Sequence, residues 1–312
     1  MISLARVGPY RTRREFIGMA AMSGTALLAG CARTGNGGQT SGSGPVTVKH
    51  LFGETTIPAP PTRVVSAGLT EQDDLLAVGV KPVAVTRWFG DETGVWPWAQ
   101  TKLGDAKPAV LGLDNGIEVD VIAGLKPDLI VAVNAGLDAG TYRKLSEIAP
   151  TIAQAGGDAF FEPWKEQAAS VGKAVSKADE MKRIVEAVEE KFAAVAQANP
   201  GFRDRPVALM NTGGGFDPLA DAVSGWRTEF LAAMGLTIVD PGQADVVIWC
   251  TDSEAQRNAI LADPQVAGLR STRSGRNIFT TPELAGAIAY ASPLSYPLVA
   301  EQLPALLTKA LT

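Results

Sequence analysis

Histidine and cysteine are nearly missing from this chain: its 312 residues contain one His and two Cys. A single histidine, His50, leaves little from which to build a Ser-His-Asp site, and no His/Cys/carboxylate cluster with metal-ligand spacing appears. There is no Cys-x-x-Cys pair and no Gly-x-Ser-x-Gly elbow, so the commonest redox and hydrolase signatures are excluded. Thr212-Gly213-Gly214-Gly215-Phe216 lacks the Lys-Ser/Thr ending of a phosphate loop and reads as flexible glycine. Positive charge is also short. With 28 Lys+Arg against 33 Asp+Glu and no basic stripe, nucleic acid is not an expected partner. The apolar run over residues 19–29 is too short to span a bilayer.

What stands at the N-terminus is an address. Thr12-Arg13-Arg14-Glu15-Phe16-Ile17 is a twin-arginine pattern, followed by the short apolar run and by Leu28-Ala29-Gly30-Cys31. A basic segment, a short apolar segment and small residues before the cut are the marks of an export signal, here residues 1–30. Twin-arginine signals are read by a receptor that carries cargo folded before export. Leu-Ala-Gly-Cys resembles a bacterial lipobox, which implies a diacylated (lipidated) Cys31 as the mature N-terminus and a lipid anchor on the outer face of the cytoplasmic membrane. Residues 31–45, nearly all Gly, Ser, Thr, Asn and Gln after Cys31, read as a flexible tether. The mature part keeps 24 basic against 32 acidic residues, a net charge of −8. With Cys31 lipidated no disulfide is possible, and Cys250, behind Val246-Val247-Ile248-Trp249, reads as a small hydrophobe of a buried strand. Stability must come from burial.

Behind the tether the pattern alternates. Residues 46–50 and 55–57 read as two strands about a Phe52-Gly53-Glu54 turn. Strands are expected at 63–66, 82–85 and 128–133, with helices at 71–78, 118–125 and 142–149; the near-continuous apolar run at 128–133 fits a strand covered on both faces. Helices at 164–175 and 177–199 follow, the second with Met181, Ile184, Val185, Val188, Phe192 and Val195 at helical spacing. The alternation then resumes: strands at 206–210, 245–250 and 277–280, helices at 227–234, 256–262 and 298–311. The expected fold class is α/β: two lobes with central, mainly parallel sheets, joined by one long rigid helix. The expected division is an N-terminal lobe over 46–175, the linking helix over 176–200 and a C-terminal lobe over 201–312.

Five segments, taken together, carry a family resemblance: Arg63-Val64-Val65-Ser66; Asp73-Asp74-Leu75-Leu76-Ala77-Val78-Gly79-Val80; Ile122-Ala123-Gly124-Leu125-Lys126-Pro127-Asp128-Leu129-Ile130; Arg143 through Thr151; and Gly286 through Ser295. In this order they resemble the substrate-binding lipoproteins of ABC importers for ferric siderophores, cobalamin and haem, with actinobacterial iron-uptake lipoproteins the most similar. The resemblance implies a monomer that binds its ligand between the lobes and delivers it to an ABC permease in the cytoplasmic membrane. It also implies a docking acid on each lobe. In the N-terminal lobe that position is Asp120, where the family often has Glu; in the C-terminal lobe the segment that carries the second acid is cut down to Asp240-Pro241-Gly242-Gln243-Ala244.

Ligands of open α/β sheets bind beyond the carboxyl ends of the strands. Residues just after expected strands include Gly68-Leu69-Thr70, Arg87-Trp88-Phe89, Asn134, Asn211-Thr212 and Thr251. Of six Trp, five (Trp88, Trp96, Trp98, Trp164 and Trp226) fall in expected loops or helix starts. Aromatic faces offer contact area at low entropic cost, and Arg87 and Arg227 offer planar forks for carboxylate, hydroxamate or catecholate oxygens. The candidate ligand residues are therefore Arg87, Trp88, Trp96, Trp98, Trp164, Trp226, Arg227, Tyr290 and Tyr296. For Trp96 and Trp98, flanking Pro97, packing competes equally with ligand contact, and Phe160 and Phe161 read as staples of the next helix. A ferric siderophore is the expected ligand, haem the second. Haem wants an axial His or Tyr, for which Tyr290 is best placed ahead of Tyr142 and Tyr296, while His50 reads as an exposed strand residue. Bare metal capture is not expected. The rival readings are cobalamin binding, an exported α/β enzyme and a structural envelope lipoprotein.

Overall fold

The computed structural model describes residues 44–87, 93–112, 116–157, 160, 162–211 and 222–312. Cys31, the rest of the export signal, Trp88, Phe161 and Thr212 lie outside the described residues.

The chain opens with an antiparallel hairpin, β1 (Val46–His50) and β2 (Gly53–Ile57), whose turn uses Gly53 at φ +122°. Then the α/β alternation begins: β3 (Val64–Ser66), α1 (Glu71–Ala77), β4 (Ala84–Thr86), α2 (Pro97–Leu103), β5 (Ala109–Leu111), α3 (Val119–Gly124), β6 (Leu129–Ala132), α4 (Ala139–Ser146) and β7 (Thr151–Ala153). These strands form a five-stranded parallel sheet in the order β5-β4-β3-β6-β7. Two helices follow, α5 (Trp164–Ala174) and α6 (Ala178–Ala198). The second α/β unit comprises β8 (Pro206–Asn211), α7 (Glu229–Ala233), β9 (Thr237–Ile238), β10 (Val246–Cys250), α8 (Glu254–Ala262), α9 (Pro264–Ala267), α10 (Arg270–Arg273), β11 (Asn277–Phe279), α11 (Pro282–Ala289) and α12 (Tyr296–Leu311). Its parallel sheet runs β11-β10-β8-β9.

The side-chain period of two along a strand assigns alternate residues to opposite faces. Along β6, Leu129 and Val131 enter one apolar core while Ile130 and Ala132 enter another. Along β10, Val246, Ile248 and Cys250 face one core, and Val247 and Trp249 face the opposite one. Each sheet is thus covered on both sides, which explains its unbroken apolar strands. Burial holds the Cys250 thiol protonated, its pKa pushed up to about 12. Helix α6, 21 residues and about 32 Å long, buries Met181, Val188 and Phe192, and Val185 on the same stripe touches the cores of both lobes.

Some elements were not expected from the sequence, and some local expectations are corrected. Residues 97–103 form α2, begun by a proline whose fixed φ and missing N–H suit a first helical position. The edge strands β5 and β9 are three and two residues long, too short to leave a periodic signal. The helix expected at 227 begins as a 3-10 turn, Gly225–Thr228. His50 is not exposed. Its ring sits against Phe52 and Tyr142, Nε2 bonds Thr55 Oγ1 at 2.9 Å, and Nδ1 accepts from the Phe52 N–H at 3.2 Å. Desolvation lowers its pKa and favours the neutral ring that pins the hairpin to α4.

Candidate ligand-binding cleft

In the N-terminal lobe the carboxyl edge of the sheet is knitted together by buried polar groups. After β3 the chain turns into α1, whose first residues Glu71, Asp73 and Asp74 are all buried. Glu71 accepts from the backbone N–H of Asn134 at 2.8 Å and of Thr70 at 3.0 Å, tying the loop after β6 to the loop after β3. Asn134 Nδ2 donates to Thr70 Oγ1, and Gln167 of α5 donates to Asp74 Oδ2 at 2.6 Å. Thr70 and Asn134, expected at the cleft by their position after strands, are therefore internal struts. Burial pushes Glu71 up to about 7 and Asp73 to about 6, and it raises Asp74 well above the usual carboxylate range, where the neighbouring Asp73 and Glu71 add to the shift.

Asp73 reaches further than its own lobe. Its Oδ2 accepts the indole Nε1–H of Trp98 at 2.7 Å and the hydroxyl of Ser292 at 2.6 Å, 219 residues away in sequence. Trp98 packs against apolar clusters of both lobes, and Leu294 reaches the cluster built on Leu76 and Val85. Trp96 stacks on Trp98 with ring centroids 4.8 Å apart and planes 4° from parallel, and Tyr290 meets Trp96 at 5.2 Å. Gly286 of α11 makes room for this group: a Cβ there would lie 3.1 Å from Trp96 and 3.4 Å from Trp98. The result is an aromatic wall, half-buried, with two members from one lobe and one from the other.

The remaining expected residues divide. Arg87 lies half-buried directly after β4, its N–H bonded to Leu111 O. Trp226 and Arg227 occupy the 3-10 turn before α7, with the guanidinium 4.9 Å from the indole centroid, a cation–π distance. Trp164 and Tyr296 are corrected: they are 4% and 1% exposed, meet edge to face at 5.2 Å, and belong to the core of the C-terminal lobe with Phe192 and Phe230. Burial raises the Tyr296 hydroxyl pKa and leaves it without a hydrogen-bond partner, so it presents nothing to a ligand. Tyr142, a lesser haem candidate, stacks on Phe52 at 4.8 Å. Phe160 does not staple a helix; it is 46% exposed and lies over Gly136, where φ is +62° and a Cβ would sit 2.2 Å from the ring. Asp120 is exposed in the first turn of α3. Among the described residues no group of His, Cys, Asp and Glu is arranged to hold a metal ion, and no helix is long and apolar enough to cross a membrane.

What the residue pattern left unread is the seam itself. Glu71-Gln72-Asp73-Asp74 looks like a solvated helix face, and nothing in it marks three buried carboxylates. Both sides of the seam, Asp73-Asp74 and Ala291-Ser292-Pro293-Leu294-Ser295, lie within segments that carry the resemblance, but nothing in the sequence joins them.

Comparison with known proteins places the architecture. The sequence model described as "Periplasmic binding protein" matches residues 64–262. A solved periplasmic solute binding protein from Mycobacterium smegmatis is 57% identical and superposes with a TM-score of 0.82, over 86% of this chain and 99% of that one. The "Probable siderophore-binding lipoprotein YfiY" of Bacillus subtilis is 35% identical over 164 residues, 51% of this chain and 48% of that protein. The alignments span about half the length of the curated relatives the chain matches. PiaA of Streptococcus pneumoniae, solved in complex with ferrichrome, shares the fold at a TM-score of 0.69 and 21% identity, over 85% of this chain and 98% of that one.

Proposed function

We propose a function that proceeds from one premise, that this chain belongs to the periplasmic binding protein family. The protein is an extracytoplasmic substrate-binding lipoprotein of an ABC importer. It captures a ferric siderophore between its lobes and hands it to a membrane permease. The observation that carries the reading is the wall of Trp96, Trp98 and Tyr290, built from both lobes beside the carboxyl ends of the strands. The ligand set is Arg87, Trp88, Trp96, Trp98, Trp226, Arg227 and Tyr290. An anionic iron chelate finds local cations in Arg87 and Arg227, which a net-negative protein must supply at the site itself. Names of the matched relatives support iron-chelate binding, since they include a siderophore-binding lipoprotein and an Fe(3+) dicitrate-binding protein.

The remaining organisation follows the export signal: twin-arginine export of residues 1–30, a diacylated Cys31, a tether to residue 45, the lobes over 46–175 and 201–312 and the linking helix over 176–200. The protein acts as a monomer without enzymatic activity or covalent cofactor beyond the lipid, and Asp120 contacts the permease. Haem is the second reading, because Tyr290 stands half-buried at the wall while Tyr142 and Tyr296 are committed to packing.

The test is tryptophan fluorescence of the mature protein titrated with ferrichrome, ferric dicitrate, a ferric tris-catecholate, haemin and cobalamin. Saturable quenching by one ferric chelate, with little response to its iron-free form, is the expected result. Silence across the panel refutes capture. A Soret shift with haemin that disappears in Tyr290→Phe promotes haem.

A further inference from the structure

One carboxylate oxygen serves both lobes. Asp73 Oδ2 receives Trp98 Nε1–H from α2 and the Ser292 hydroxyl from the turn between α11 and α12, while Oδ1 is buried without a partner. The Ser292 proton has no other destination, because its oxygen already accepts the backbone N–H groups of Leu294 at 3.2 Å and Ser295 at 2.9 Å. A hydroxyl has one proton to give, so accepting two backbone donors aims that proton at Asp73. Trp98 is fixed at its N–H, and Trp96 lies flat on it. Across the cleft, Ser292 anchors the turn that Tyr290 enters, two residues before it. Both edges of the Trp96–Tyr290 contact are therefore referenced to a single atom.

We propose that Asp73 is the positioning residue of the cleft: through Trp98 on one lobe and Ser292 on the other, its Oδ2 sets how the two halves of the aromatic wall face each other and so how tightly the cleft holds its ligand. This deepens the capture reading and rests on it. Buried hydrogen bonds to a charged acceptor are the strong kind, and leaving either donor unmatched in this dry corner is unfavourable. The charge of Asp73 is governed by its burial, by the two donors and by the carboxylates of Asp74 and Glu71 on its own helix, with Glu162 facing Glu71 from the segment ahead of α5.

The shared oxygen is read by NMR of indole N–H groups in protein labelled with 15N-tryptophan, with Trp98 assigned through Trp98→Phe. The Trp98 resonance is expected to titrate with a midpoint near the Asp73 value of about 6, to lose that titration in Asp73→Asn, and to move its midpoint upward in Ser292→Ala, where a donor to the carboxylate is gone. In parallel, the affinity for whichever of ferrichrome, ferric dicitrate or the ferric tris-catecholate binds the unmodified protein is expected to fall tenfold or more in both Asp73→Asn and Ser292→Ala. A Trp98 resonance indifferent to Ser292→Ala overturns the shared oxygen. Full affinity in Ser292→Ala, with the indole responding as expected, reduces Asp73 to a structural group and overturns its positioning role. If none of these three chelates binds the unmodified protein, ferric-chelate capture fails, and the indole titration alone decides whether the lobes share Asp73.

Discussion

The two lobes repeat one plan with unequal equipment. Strands β4-β3-β6-β7 of the first sheet correspond in order and direction to β9-β8-β10-β11 of the second, and β5 has no counterpart. Between β4 and β6 the first lobe inserts residues 87–128, which hold α2, β5 and α3; between β9 and β10 the second has only residues 239–245, a tight turn closed by Gln243 N–H to Asp240 O. The wall residues Trp96 and Trp98 and the acid Asp120 all come from that insert. The cores differ as well. Trp164, Phe192, Phe230 and Tyr296 fill the C-terminal lobe's core beneath α12, whereas the buried cluster on one face of the first sheet is built from Val, Leu, Ile, Ala and Met alone. The comparison teaches an unequal division: the first lobe's insert supplies two of the three wall residues, and the second supplies Tyr290 on a core braced by aromatic rings.

The second lobe is broken most severely at its aromatic centre. Tyr296→Ala is expected to lose about 3–5 kcal/mol in urea denaturation, the range for emptying a buried aromatic site, with the iron-chelate affinity of the surviving folded protein unchanged. An affinity loss at full stability would return Tyr296 to the ligand set.

The first lobe has its own signature in pH. Glu71, Asp73 and Asp74 all have raised pKa values when folded, so the folded chain holds protons that the unfolded chain has already released. Stability from these groups is therefore greatest in acid and falls as pH rises through the unfolded values near 4; the contributions of Asp73 and Glu71 level off above their folded values of about 6 and about 7. For Glu71 the span amounts to roughly 3 kcal/mol. Denaturant midpoints measured between pH 4.5 and 8 in about half-unit steps should decline, and Glu71→Gln should flatten the decline. A flat wild-type profile would show that the buried acids do not behave as described.

Smaller effects separate wall from brace. Gly286→Leu drives a side chain into Trp96 and Trp98; about 1–3 kcal/mol of stability and at least a tenfold loss of chelate affinity are expected from calorimetric titration. Tyr296→Phe removes a buried hydroxyl that lacks a partner, so its urea midpoint should rise by about 1 kcal/mol of stability. Asp120→Ala should change stability by less than about 0.5 kcal/mol and leave chelate binding intact while lowering iron-chelate uptake by cells. Uptake equal to wild type would remove Asp120 from the docking surface.

The larger architecture was legible because apolar strands and helical stripes are patterns of many residues: β6, β10 and α6 stand where their sequences place them. The site was legible only in part. Trp96 and Trp98 announced themselves as aromatics about a proline, but their partners did not, since Gly286 acts by what it lacks and Ser292 by a contact 219 residues away. Tyr290 and Tyr296 look alike in sequence, yet six residues apart one ends α11 against Trp96 and the other opens α12 and turns into the core. Buried carboxylates and a buried histidine also escape a reading by residue type, because their burial is granted by neighbours distant in sequence.

The central claim is that iron is held between the lobes against this wall. The most direct measurement is the anomalous-scattering position of iron in crystals of the protein grown with whichever ferric chelate quenches its fluorescence. The account predicts one iron peak in the cleft, with the chelate in contact with Trp96 or Tyr290 and within reach of Arg87 or Arg227. An iron bound elsewhere on the molecule, or a chelate in the cleft that touches none of these four side chains, would contradict it.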